Sequence, residues 1–392
     1  MRRDFLRHSS AAVAALLAGG RLPATLAADT GVQAALFDQL PDQLLPPDEN
    51  GLRLPPGFHS RIIARTGQPL LPDSPYAWHR APDGGACFVT VDGGWVYVSN
   101  SEVRISDGGG GVGAVRFNAQ GNIVAAYPIL QGTDNNCAGG KTPWQTWLSC
   151  EEVDRGQVYE CDPMGEQPAV VRPALGSFKH EAVAVDPVNG QLFLTEDERD
   201  GCFYRFIPAA PLPSLDSGRL EVAEIVERDG GTKVEWHAVL DHLATSTPTR
   251  HQVEAATHFD GGEGIAFHDG LIHFTTKGDN RVWRYDTRSQ QIEVIYDAAN
   301  SATPHLSGVD NVTITASGDV LVAEDGGDMQ IVLLGPAGIV LPIVQVTGQD
   351  LSEITGPAFD PQFQRLYFSS QTGPLNLDTD GITYEISRST RS

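Results

Sequence analysis

One cysteine and a recurring set of carboxylates occupy matching places in six segments of this sequence. The segments read ACFVTVDGGWVYVSNSE from Ala86, CAGGKTPWQTWLSCEE from Cys137, EAVAVDPVNGQLFLTED from Glu181, EGIAFHDGLIHFTTKGDN from Glu263, DNVTITASGDVLVAEDGG from Asp310 and TGPAFDPQFQRLYFSSQ from Thr355. Each opens on a polar or cysteine position and closes on a polar cluster 14 to 16 residues later: Cys137 to Glu151, Glu181 to Glu196, Glu263 to Lys277, Asp310 to Glu324, Cys87 to Glu102 and Thr355 to Gln371. Like charges brought within a few ångströms in a low dielectric repel strongly, so such carboxylates must be protonated, ion-paired or bound to metal. Lys277, Lys141 and Lys179 are the chain cations in or beside these motifs, which makes metal the simplest answer. Hard carboxylates suit calcium, magnesium, manganese or ferric iron, and the thiolate of Cys137 adds a preference for a transition metal.

The spacing also says what must position these residues. Fourteen residues make two short strands and a turn, and in an antiparallel hairpin the first strand starts where the second ends. The segments recur about every 45 residues, near the period of a four-stranded propeller blade. The expected fold is therefore an all-β, six-bladed β-propeller with a metal site in its central channel. If the first strand of each hairpin is innermost, Cys137, Glu181, Glu263 and Asp310 surround one channel mouth. Glu102, Glu151, Glu152, Glu196, Asp197, Lys277, Glu324 and Asp325 then form the next ring. Adjacent acids alternate faces on a strand, so one member of each pair faces the channel and the sequence leaves open which. Lys277 has two readings, a salt bridge to a neighbouring carboxylate or a catalytic contact with an anionic substrate. Gly57–Thr66 reads as an outer strand completing the last blade beside Gly381–Arg388, and 208–258 as an insertion with some helix around Trp236 to Leu243.

Other features bound the function. The net charge of −23 and the lack of any Lys/Arg run exclude a nucleic-acid partner. Residues 1–28 read as a twin-arginine signal peptide: Arg2–Arg3, Phe5–Leu6, an apolar run from Ala11 to Ala18, and small residues ending at Ala27–Ala28. Residues 29–56 form an N-terminal extension, and 57–392 the propeller. The expected location is periplasmic or secreted after passage through the twin-arginine machinery, as a monomer, with no transmembrane anchor because no later stretch approaches about 20 apolar residues. Five cysteines cannot all pair within the chain, although Cys150 and Cys161 flank a hairpin and are candidates to pair.

The run NCAGGKTPWQTWLSCEE (Asn136 to Glu152), KHEA (Lys179 to Ala182), TTKGDNRVWRYD (Thr275 to Asp286) and VAEDGG (Val322 to Gly327) resemble PhoX-type alkaline phosphatases over most of the chain. The resemblance implies a six-bladed propeller that hydrolyses phosphate monoesters with an iron and calcium centre. It implies iron ligation by Cys137 with Glu102, Glu151, Glu181 and Glu263, and calcium near Asp310 and Glu324. Gly261 and Gly262 stand where the family pattern has an arginine ahead of the glutamate matching Glu263, leaving Lys277 as the point charge for phosphate. The alternatives are a calcium-dependent lactonase or esterase, for which a thiolate has no use, and a non-enzymatic propeller stabilised by calcium.

Overall fold

The computed structural model describes residues 35–37, 43–301 and 304–388. Alternating apolar residues and frequent turn signals produce six antiparallel sheets, and the innermost strands contact one another in a closed circle. These inner strands are Pro82–Val89, Asn136–Lys141, His180–Asp186, Gly262–His268, Val309–Ile314 and Ile354–Phe359, which define blades 1 to 6. Apolar side chains of neighbouring blades pack face to face: Leu148, Val183, Leu194 and Tyr204 join blades 2 and 3, and Phe193, Phe203, Phe274 and Tyr285 join blades 3 and 4.

The circle closes with strands from both ends of the chain. Phe58–Arg65 pairs with Ile382–Arg388 and becomes the outermost strand of blade 6. Described residues of the expected N-terminal extension also pack onto the propeller. Leu52–Arg53 pairs with Gln345 and Val346 at the edge of blade 5, and Leu36, Phe37, Leu52 and Leu54 lie in that blade's core. The expected signal peptide lies outside the described residues. Among the described residues, no helix is long and apolar enough to cross a membrane.

Two expectations differ from the structure. The segment around Trp236 is not helical: Gly218–Arg228 and Gly231–Ala238 form a long hairpin that widens blade 3. Its alternation of apolar and polar residues around Asp229–Gly231 has the period of a strand, and the pairing with the preceding strand decides it. All five cysteines are free and buried. Cys150 lies opposite Val158 and Cys161 opposite Trp147, so the two thiols project from opposite faces of one blade and cannot meet.

Candidate metal centre

A single backbone device recurs in all six inner strands. The ladder to the second strand slips just after Pro82, Asn136, His180, Gly262, Val309 and Thr355. A bulge of this kind releases one or two residues from the pleat and re-aims their side chains. Asp83, Cys137, Glu181, Glu263 and Asp310 occupy it in blades 1 to 5, and Thr355 stands at its start in blade 6. All six are buried. Ending the second strand beside them are Glu102, Glu152, Asp197, Lys277, Asp325 and Gln371.

The ligand atoms of this ring fall into three groups, each within 4.8 Å: Asp83, Glu102 and Cys137; Cys137, Glu152 and Glu181; Glu181, Glu263 and Asp310. Cys137 and Glu181 belong to two groups each, so the groups adjoin. The Cys137 Sγ lies 3.3 Å from Glu181 Oε1, while Glu181 Oε2 is buried with no hydrogen-bond partner. Burial, then the charges of Glu263 and Glu152, pushes the Glu181 carboxyl well above its usual range. Burial, then Asp83 and Glu181, does the same to the Cys137 thiol. An orphaned carboxylate oxygen among further acids is what a cation removes, and the donors, one soft thiol among hard oxygens, fit metal ions.

Part of the ring is balanced by the chain itself. Lys179 Nζ lies 2.8 Å from Glu152 and 2.7 Å from Asp197. Lys277 Nζ lies 2.9 Å from Glu263 and 3.3 Å from Asp325. Burial alone would lower Lys277, but Glu263, Asp310 and Asp325 outweigh it and hold it charged. Two amides knit the remaining acids: Asn135 Nδ2 donates to Glu102 at 2.9 Å, and Gln371 Nε2 donates to Asp83 and Glu102 at 2.6 Å.

Three expected ligands are turned elsewhere. Glu151 accepts from the backbone amides of Asp134 and Gln157, and Glu324 from those of Ser307 and Gln330. Glu196 accepts from the Cys202 amide and the Tyr204 hydroxyl and pairs with Arg250. Each is the first acid of its pair, and each clasps the amide six residues ahead, closing the turn into the third strand. None lies in the three ligand groups. In each pair the second acid faces the channel: Glu152 enters a ligand group, while Asp197 and Asp325 meet the lysines.

The structure adds residues that the repeat did not reveal. Asp83 is the blade 1 counterpart of Cys137, but the longer strands of that blade put it 19 residues before Glu102, outside the common spacing. Glu353 lies just ahead of Thr355 and bridges to Asp325. Burial, then Asp310 and Glu102, raises its carboxyl well above the usual range. Asn100 is buried and fully used: its amide donates to the carbonyls of Cys137 at 2.9 Å and Ala138 at 2.7 Å, and its oxygen accepts from Trp147 and Ser149. The equivalent residues of blades 3 and 4, Thr195 and Thr275, donate to the carbonyls of Glu263 and Asp310. The second strand of one blade thereby fixes the ring residue of the next.

Fold and site together define a six-bladed propeller with a cysteine–carboxylate cluster at its channel mouth. Residues 78–373 match the family described as alkaline phosphatase PhoX. The chain belongs to this family, which makes it a phosphoric ester hydrolase. Among solved structures, it is similar to Pseudomonas fluorescens PhoX in complex with vanadate, a transition state analogue. That match has a TM-score of 0.72 and 17% identity, and covers 88% of this chain and 97% of the other. A putative gluconolactonase matches with a TM-score of 0.51 at 14% identity, covering 89% and 99% of the two chains. A Bacteroides thetaiotaomicron protein of unknown function matches with a TM-score of 0.51 at 11% identity, covering 84% and 76%. At these identities the likeness is one of fold. No curated protein matches in sequence.

Proposed function

We propose that the protein is a periplasmic phosphomonoesterase that depends on iron and calcium held at the channel mouth. The observation that carries this reading is the set of three adjoining ligand groups sharing Cys137 and Glu181. Cys137, with Asp83, Glu102, Glu152 and Glu181, forms the side suited to iron, since only there does a thiol join the carboxylates. Glu181, Glu263 and Asp310 offer oxygen alone, which suits calcium. Cations bound there supply neutralisation of the phosphoryl oxygens and activation of an oxygen nucleophile near neutral pH.

The chain's own residues bind and orient. Lys277, held charged between Glu263 and Asp325, is the point charge placed to meet an anionic ester. Gly261 and Gly262, ahead of Glu263, carry no side chain into the mouth, so Lys277 replaces a guanidinium clamp there. Five buried, unpaired thiols suit a chain that folds in a reducing cytoplasm before twin-arginine export. A calcium-dependent lactonase has no use for Cys137 in the cluster. Metal analysis of the protein exported in its native host, with a chromogenic phosphate ester as substrate, tests the reading. Iron and calcium with turnover are expected; calcium alone without turnover overturns it.

A further inference from the structure

Several loops that leave the ring carry exposed large apolar side chains. The sector around blades 6 and 1 exposes Leu351, Leu375, Leu377 and Ile105, which are 78%, 67%, 52% and 54% exposed, interspersed with Arg104, Asp107, Asp378 and Asp380. Scattered single apolar residues on a surface need no explanation, whereas several on linked loops beside one site do.

The loops that carry these four are tied to one another. Leu375 and Leu377 lie on the loop that leaves Gln371, a ring residue. That loop is braced by hydrogen bonds from the Leu377 amide to Thr372, the Leu375 amide to the Asp380 carboxylate, and the Asp380 amide to Leu377. Leu351 adjoins it, because Ser352 accepts from the Thr372 amide and meets Ser370. On the other side, Arg80 pairs with Asp378 and donates to the Asp107 carbonyl, tying the loop to the short turn that bears Ile105. Each apolar residue is therefore a few positions from a ring member: Leu351 from Glu353, Leu375 and Leu377 from Gln371, Ile105 from Glu102. Leu240 and Leu243 belong to the excursion beside blade 2, where Arg155 donates to the Leu243 carbonyl.

We propose that this sector seats the alcohol portion of the substrate, and that the preferred esters are soluble phosphate monoesters with an apolar leaving group. The proposal rests on the phosphomonoesterase reading. An ester whose phosphate reaches the ring must extend its alcohol past the rim, and the braced loops offer it apolar surface without any cost of ordering them. Burying methylene groups there favours longer chains. A bilayer is the less suitable occupant, because a net charge of −23 opposes approach to an anionic lipid surface.

The test compares ethyl, butyl and octyl phosphate, whose leaving groups are chemically alike, on the metal-loaded exported protein and on the double variant Leu375→Ser/Leu377→Ser. The expected result is a kcat/KM that rises about tenfold from ethyl to octyl phosphate. The double variant should lose most of that rise, its kcat/KM for octyl phosphate falling to about its own value for ethyl phosphate. Turnover that ignores chain length, or a double variant that keeps the octyl preference, overturns the inference alone. No turnover of any ester by the metal-loaded protein overturns the phosphomonoesterase reading and the inference with it.

Discussion

Glu151 closes a turn by accepting two backbone amides, while Glu152, the next residue, meets Lys179 and lies within reach of Cys137. The difference is one of strand face, and it makes substitutions at this scale informative. Cys137→Ala should remove iron and phosphatase activity together, as read by metal analysis and turnover; an active, iron-loaded variant contradicts the assignment. Asn100→Ala should destabilise the fold by about 3 kcal/mol, because it strands the Cys137 and Ala138 carbonyls and the Trp147 indole N–H in a buried place. Urea unfolding measures this. His79 reports on acid. Burial holds its pKa down at about 3, between the Tyr76 and Ser99 hydroxyls. The folded value is lower than the unfolded one near 6.5, so the unfolded chain binds the extra proton first. Its contribution is therefore present above about pH 6.5 and lost as pH falls towards 3. In a melting series across that window, His79→Gln should show a slope shallower by up to about one proton.

At the scale of elements, the six repeated bulges convert strand starts into a ring, and small residues next to them let the inner strands converge. Gly264 is a case in point: a Cβ there would lie 2.6 Å from the Val312 amide nitrogen and 2.7 Å from the Asn311 Cα, both backbone atoms of the neighbouring blade. Gly264→Ala should cost about 1–3 kcal/mol and shift Glu263 and Asp310 apart, lowering calcium affinity as well as the unfolding midpoint. An unchanged midpoint would show that the blades can spread without loss. The hairpins themselves were legible, since alternation and turn residues depend only on neighbours in the chain. The strand Gly231–Ala238 was not, because its identity depends on pairing with Gly218–Arg228 and its place on the edge of blade 3. Asp83 escaped for a related reason: blade 1 lengthens both strands of its hairpin and so breaks the common spacing.

For the whole molecule, closure and charge act together. The terminal strand Ile382–Arg388 is sandwiched between its own blade and the early strand Phe58–Arg65, with Arg61 pairing to Glu385 across the seam. The circle thus holds together acids that repel one another at its centre. Removing metal with a chelator should lower the melting temperature by several degrees, and high salt or added calcium should restore part of it. A melting temperature indifferent to chelation would mean that Lys179, Lys277 and protonation balance the ring unaided. By itself the sequence determined the repeat, the six hairpins and the identity of most ring residues, because residue type and spacing carry that information directly. Only the tertiary structure decided which acid of each pair enters the channel, that Asp83 and Glu353 join the ring, and that Asn100 holds Cys137 in place. Those outcomes depend on bulge position, strand length and contacts between blades, which bring together residues far apart in the chain.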